Sequence, residues 1–599
     1  MLTRTLLSLS LLLSLSPLCA ARQTPTPKQT PAEEAAPEQQ ADDAAATARR
    51  EALLADLRAL EADAKELLKP LDAASARAEI AYAAWPLERE WAKSLLREAL
   101  ALTFPEEVDR AKVRERPIGA ELQFGPAENG ARGRIRRRVF QIAARDRAFS
   151  RELSDTAGRE LGRVEETSTL TGMAVTAADE GRLEEAAELI LRAAESEPTL
   201  LNVGQAVNHV AARDRAAADR LILAYVERLR RLPLNVFTER NHTALRMSLT
   251  VAIMLRPKDL QFFSNTPTVP PPPAREVVRA YVAFIVDTMT RIEQQRGDLR
   301  GMHGFIPTVW PSMMQHAPEY AAQLGALERA SRRPGRPAPP LRTFAEIEVE
   351  YDQSKKYEER LKTARKTKDP LQLEMAADAA MKQKDFEEAR KLIALMDDGE
   401  TKTHLVEQAN VRESLHLLGA GDLAGAERLA RQLNNVASVI RVFPPLVGRL
   451  ARDGDAGRAS LLADEAGRRL RASAERGNGN DTFVPSLLAP VAGSVRLYKQ
   501  SRALEGMSEL SLAVEPVAPQ SALDLLDTLA ETAAKARVTS ELGNPNFNPE
   551  AFARLAARDP GRVRSTAARL EDSLQRIAAL AAVYRGEAES LEPKKDAPH

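Results

Sequence analysis

Cysteine is nearly absent: the 599-residue chain has one, Cys19. With no second thiol there is no disulfide within the chain and no multi-thiolate metal site. Glycine is scarce, 29 of 599, and aromatics make up 4%. Strands draw on β-branched and aromatic residues and tight hairpins on glycine, so both shortages count against a sheet protein. Charge of either sign is not in excess, since 85 basic residues balance 85 acidic ones. A nucleic-acid binder needs a basic surplus, and that class is set aside. No stretch beyond the first 21 residues approaches the roughly 18 uninterrupted apolar residues that suggest a membrane-spanning helix.

What is abundant is alanine, leucine, arginine and glutamate, the residues least costly to place in a helix. With 44% apolar and 28% charged residues, the composition is globular. The expected fold class is all-α, an α–α superhelix of stacked helical hairpins in two halves. At least about 65% of the mature chain should be helical, with essentially no sheet.

The first 21 residues have the form of an export signal. Arg4 supplies the positive charge, Leu6 to Leu15 the apolar stretch, and Ser16-Pro17-Leu18-Cys19-Ala20-Ala21 the cleavage region. Cys19 and Ala21 are the small residues that place the cut before Arg22. Two rivals stand beside this. A membrane anchor would need about 20 apolar residues, twice what is present. A lipoprotein signal would end at Cys19, yet Ser16 and Leu18 occupy the positions where Leu and a small residue are usual. The expectation is export to the periplasm or the extracellular space, with a mature chain that has no cysteine and no transmembrane segment.

Residues 22–43, with Pro25, Pro27, Pro31 and Pro37, are expected to be a disordered linker. Helical periodicity starts at Ala44, and Pro86 sits where a helix could begin, with Trp91, Leu95, Leu96 and Leu100 on one face. Thr266 to Pro273 must be extended, and Arg332 to Pro340 reads RRPGRPAPP. The expected organisation is a helical domain over 44–331, a linker over 332–342, a repeat domain over 343–587 and a tail over 588–599.

Internal repeats are the strongest signal. Gly181-Arg-Leu-Glu-Glu-Ala186 is followed by Ile190, Ala193 and Pro198. Related strings begin at Lys384-Asp-Phe-Glu-Glu-Ala389, Gly421-Asp-Leu-Ala-Gly-Ala426 and Gly454-Asp-Ala-Gly-Arg-Ala459. This order resembles the second half of a tetratricopeptide repeat, in a degenerate array that is also similar to HEAT-like proteins. The resemblance implies a turn between paired helices at Gly181, close helix approach at Ala186 and Ala193, a helix start at Pro198, and a scaffold that holds protein segments. A second echo is Ala-Ala-Arg-Asp, ending at Asp146, Asp214 and Asp559, where each aspartate could cap the next helix.

Residues with chemical potential are few. The histidines are His209, His242, His303, His316, His404, His416 and His599. Glu239-x-x-His242 and Glu413-x-x-His416 have the spacing that di-iron bundles use, although glutamate is common enough here to produce such pairs by chance. No metal and no cofactor is expected. Arg132-Gly-Arg-Ile-Arg-Arg-Arg138 could grip phosphate or an anionic polymer, or could be a solvated helix start paired with acids. Gly301 to Met314 places Phe305, Trp310, Met313 and Met314 beside His303, either as a groove wall or as a plug. Nucleophile-elbow and phosphate-loop patterns are missing.

The leading functional expectation is an exported helical-repeat scaffold that binds a protein or peptide partner at the cell envelope, through Asn410, Arg412, Asn435 and Trp310. The amides and the guanidinium suit an extended peptide backbone, and the regular repeats from Leu371 to about Leu470 should form the groove. Capping or solvent exposure is the competing role for these side chains. The alternative function is an exported superhelical enzyme acting on envelope polymer or peptide; soluble lytic transglycosylases join a helical ring to a lysozyme-like domain, but the Ala- and Arg-rich C-terminal half shows no catalytic Glu set among Gly and aromatics as that domain needs.

Overall fold

The computed structural model describes residues 36–104, 127–161, 163–196, 201–231, 271–295, 316–330, 353–476, 502–540 and 542–591. Among these residues 82% are helical and none lies in a strand. The fold is all-α, with helices packed as adjacent pairs.

The first helices are α1 (Ala36–Lys65), α2 (Pro70–Ala84), α3 (Arg89–Ala101), α4 (Ala127–Ala143), α5 (Arg147–Leu161), α6 (Arg163–Asp179) and α7 (Leu183–Ser196). There follow α8 (Leu201–Arg213), α9 (Arg215–Arg230), α10 (Arg275–Gln294) and α11 (Ala321–Ala330). Then come α12 (Gln353–Thr367), α13 (Pro370–Lys382), α14 (Phe386–Ala394), α15 (Glu400–Ala420), α16 (Leu423–Ala430), α17 (Val436–Arg452) and α18 (Ala456–Glu475). The last are α19 (Arg502–Val514), α20 (Pro519–Lys535), α21 (Glu550–Ala556), α22 (Pro560–Ala568) and α23 (Ser573–Leu591). Residues 52–599 belong to one compact unit and residues 1–51 to another, with the boundary inside α1.

Four hairpins share one turn. Gly181, Lys384, Gly421 and Gly454 stand between α6 and α7, α13 and α14, α15 and α16, and α17 and α18, with φ of 80°, 64°, 85° and 80°. The next amide in each case, from Arg182, Asp385, Asp422 or Asp455, donates to the carbonyl five residues back at 2.8–3.0 Å. This is the Schellman closure, which satisfies helix-end carbonyls and needs a left-handed residue. In the last three hairpins the aspartate that follows caps the return helix, accepting from the amides of Glu388, Gly425 and Arg458 at 3.2, 2.9 and 3.1 Å. All four positions are those where the repeat strings open. Ala186 and Ala193 are buried, as the close approach of paired helices requires.

The Ala-Ala-Arg-Asp echo also resolves into caps. Asp146, Asp214 and Asp559 accept from the amides of Phe149, Ala217 and Arg562 at 3.1, 3.0 and 3.0 Å. Each thereby satisfies one of the donors that a helix start leaves open.

Several boundaries differ from expectation. α1 starts at Ala36 rather than Ala44, because APEQQADDAAATARR is built of helix formers after Pro37. α3 starts at Arg89 rather than Pro86, since Leu87 and Glu88 bond back to the Ala84 carbonyl at 2.9 and 2.8 Å and complete a turn first. α23 continues to Leu591, past the expected start of the tail, and Ala588 is buried. Pro444 and Pro445 lie inside α17, where the helix persists because Val442, Phe443, Leu446 and Val447 are buried on both sides of the pair. The signal sequence, Pro198, residues 266–270 of the extended proline-rich stretch and the 332–342 linker lie outside the described residues.

Among the described residues three cores hold the helices. One is formed by α6 to α11, with Ile222, Tyr225, Tyr281 and Phe284 at its centre. A smaller one joins α12 to α15 through Leu373, Leu392 and Leu405. The largest unites α1 to α6 with α15 to α23, so Leu96 and Phe140 share a core with Leu446, Phe552 and Ile577. Within it α2 packs directly on α23.

Candidate functional site

Among the described residues, the hairpin array around α15 and the arginine-bearing face of α4 carry the polar residues that the sequence singles out.

On α15, Asn410 is buried and its Oδ1 accepts from Arg390 of α14 at 3.1 Å. Arg390 also pairs with Glu413. Arg412 pairs with Asp378 of α13 at 3.0 Å, and Asp378 takes Lys382 at 2.7 Å. Asn435 is the N-cap of α17, its Oδ1 accepting from the Ala437 amide at 2.8 Å. The amides of Asn434 and Asn435 both donate to Glu407 at 3.0 Å. These residues therefore tie neighbouring helices to one another, and Arg412 keeps 31% of its side chain exposed. Trp310, Glu239 and His242 lie outside the described residues. Of the second Glu-x-x-His pair, Glu413 turns to Arg390 while the His416 ring sits 5.8 Å from Phe386. Among the described residues no group of three or more His, Cys, Asp or Glu is placed to hold a metal.

The arginine run lies in α4. Arg136 is buried and donates to the Thr103 hydroxyl and carbonyl at 3.0 and 2.8 Å. Arg138 grips Glu79 of α2 through two bonds of 2.6 and 2.8 Å. Its guanidinium also lies 4.6 Å from the Tyr82 ring, with those of Arg145 and Arg585 at 4.5 and 4.1 Å. Arg145 donates to the Tyr82 hydroxyl at 3.0 Å. Arg585 of α23, buried, donates to Glu550 at 2.6 Å. Three guanidiniums thus surround one aromatic ring, an attraction that rises as water is excluded.

Burial pushes the Glu79 carboxyl upward, but the charge and hydrogen bonds of Arg138, with help from Arg585, outweigh it and hold it below the usual carboxylate range. For Arg138 burial opposes the charge and Glu79 more than compensates, so the guanidinium is held above its ordinary value. Each keeps the other ionised.

Residues 134, 137 and 138 are spaced i, i+3 and i+4, which places them on one helix face. That face meets α6 across a cavity of about 330 Å³, lined by Arg134, Arg137, Arg138 and Gln141 from α4, Gly172, Met173 and Thr176 from α6, and Glu185 from α7. A second cavity, about 460 Å³, lies where the α2–α3 turn meets Arg145 and Glu589, with Trp85 and Arg89 in its wall. The sequence exposed the arginine run by its density. Tyr82, Glu79 and Arg585 carry no local signal, because their role exists only once α2, α4 and α23 are side by side.

No protein-family model matches the chain, and no curated protein does. Among solved structures, a circular tandem repeat protein with novel repeat topology and enhanced subunit contact surfaces is 14% identical, over 89% of this chain and 97% of that one, with a TM-score of 0.15. A TM-score that low carries no weight for fold or function.

Proposed function

We propose that this chain is an exported scaffold whose tandem helical hairpins hold a protein or peptide partner at the cell envelope. The observation that supports it most is the run of three successive hairpins, α13–α14, α15–α16 and α17–α18, closed by the same left-handed turn and the same aspartate cap. Repeated hairpins of one geometry present a repeated surface, and an extended ligand gains affinity by touching several repeats at once. The tetratricopeptide-like order of small and apolar residues supports the same reading. The export reading rests on Arg4, Leu6 to Leu15 and the small residues Cys19 and Ala21.

Arg412, with its partly exposed guanidinium, and Val406, 44% exposed on the same helix, are the contact points of this surface. Asn410 and Asn435 serve it from beneath, by fixing the helix and the turn that carry it. The test is affinity capture from envelope extract with the full exported chain and with Arg412→Glu and Val406→Glu. The expected result is loss of the same captured partner in both variants, with helicity and thermal midpoint retained. An unchanged partner set in both overturns the reading. Intact mass of the exported protein checks the cut, expected before Arg22.

A further inference from the structure

We propose that the cavity between α4 and α6 binds a phosphate monoester. Three arginines of one helix face, Arg134, Arg137 and Arg138, reach the same cavity, together with the Gln141 amide and the Thr176 hydroxyl. Arg134 already interacts with another group of the protein. Arg138 is matched by Glu79. Glu185, the acid in the wall, is matched by Arg182. Arg137 has no carboxylate within ion-pair distance among the described residues, and it lies exposed along α6, its side chain beside Gly172. The cavity therefore carries a positive charge that the protein does not itself neutralise.

The donor set selects among anions. A carboxylate has two oxygens and one charge and is satisfied by a single guanidinium fork. A phosphate monoester has three terminal oxygens and close to two charges, and it draws on several donors at once. The Gln141 Oε1 accepts from Arg138 at 3.2 Å, which leaves its NH2 as a donor. The Thr176 hydroxyl is held by a long 3.3 Å bond to the Gly172 carbonyl and can rotate to an incoming oxygen. At about 330 Å³ the space exceeds what inorganic phosphate fills, and Phe140, Ala144 and Met173 add an apolar part to the wall. An ester with a small apolar body fits this better than the free ion. The phosphate could belong to a soluble ester or to a lipid headgroup, and the two are separable by experiment.

The full chain is titrated calorimetrically with phenyl phosphate, inorganic phosphate and benzoate, and is floated with phosphatidic acid or phosphatidylcholine vesicles. Arg137→Ala is the test variant, because its exposed side chain makes no bond that the fold requires; Arg89→Ala is the control outside the cavity. Expected are phenyl phosphate tighter than inorganic phosphate, benzoate at least tenfold weaker, and a loss of at least tenfold in Arg137→Ala with Arg89→Ala unchanged. Flotation with phosphatidic acid that Arg137→Ala abolishes, without binding of the soluble ester, assigns the phosphate to a lipid headgroup. Benzoate equal to phenyl phosphate, binding unaltered by Arg137→Ala, or no binding to either source overturns the proposal.

Discussion

The amide of Gly543 donates to Oδ1 of Asp72 at 2.8 Å, across 471 residues of chain. Both groups are buried, and the bond joins the start of α2 to the segment leading into α21. It lies in the region where α2 packs on α23, so early and late parts of the chain meet through a directed polar contact as well as apolar packing.

Gly543 is required there on two counts. Its φ is 76°, and a Cβ would lie 2.7 Å from both the Leu71 carbonyl oxygen and the Ile135 side chain. Gly543→Ala should destabilise the protein by about 2–4 kcal/mol, combining left-handed strain with a backbone clash. Asp72→Ala should cost about 1–3 kcal/mol by leaving a buried amide unsatisfied. Urea unfolding of both variants checks this; a midpoint unmoved by either would show that the contact is not part of the folded state.

Lys384 occupies the turn position that glycine holds in the other three hairpins, at φ 64°. A residue with a Cβ is strained there by about 1 kcal/mol or more. Lys384→Gly should therefore raise stability by about that amount, whereas Gly421→Ala and Gly454→Ala should lower it by a similar amount. Substitutions in opposite directions at equivalent turns, read by urea midpoint, isolate the backbone from the side chain.

What was legible in the sequence was what depends on neighbours in the chain. The turns at Gly181, Gly421 and Gly454 and the caps at Asp146, Asp214 and Asp559 are decided within five or six residues, so the letters suffice. Pro444 and Pro445 show the limit of that logic, since burial of Phe443 and Leu446 overrides a helix-breaking signal. The arginine run was visible, but its two possible fates were not separable. Whether Arg138 faces water or Glu79 depends on a residue 59 positions away. Asn410 and Asn435 stand out in the sequence for their amide chemistry, and packing decides where that chemistry is spent: on Arg390 and on a helix cap.

Replacing Glu79 with glutamine should leave Arg138 without its ion-pair partner, while Arg585 keeps Glu550, and should cost about 3–5 kcal/mol. The pH dependence follows from the depressed carboxyl. Its contribution is present in full above the unfolded-state value and is lost as pH falls through the lower folded value. The wild type should therefore lose stability on acidification more steeply than Glu79→Gln, and the two curves should converge at low pH. Thermal midpoints from pH 7 downward measure this; parallel curves would show that Glu79 is not ionised in the folded protein.

Asn410 and Arg412 lie two residues apart on α15 and should respond differently to alanine. Asn410 is buried, and removing its Oδ1 takes a partner from the Arg390 guanidinium and opens a void between α14 and α15. Asn410→Ala should cost about 1–3 kcal/mol. Arg412 and Asp378 form a partly exposed pair whose carboxylate retains Lys382, so Arg412→Ala should cost at most about 1 kcal/mol. A double-mutant cycle with Arg390→Ala should show coupling for Asn410 and none for Arg412, since only Asn410 is bonded to it. The distinction bears on the scaffold reading. A partner lost on Asn410→Ala can be lost through a loosened helix, while a partner lost on Arg412→Glu with stability unchanged reports a contact made by the side chain itself.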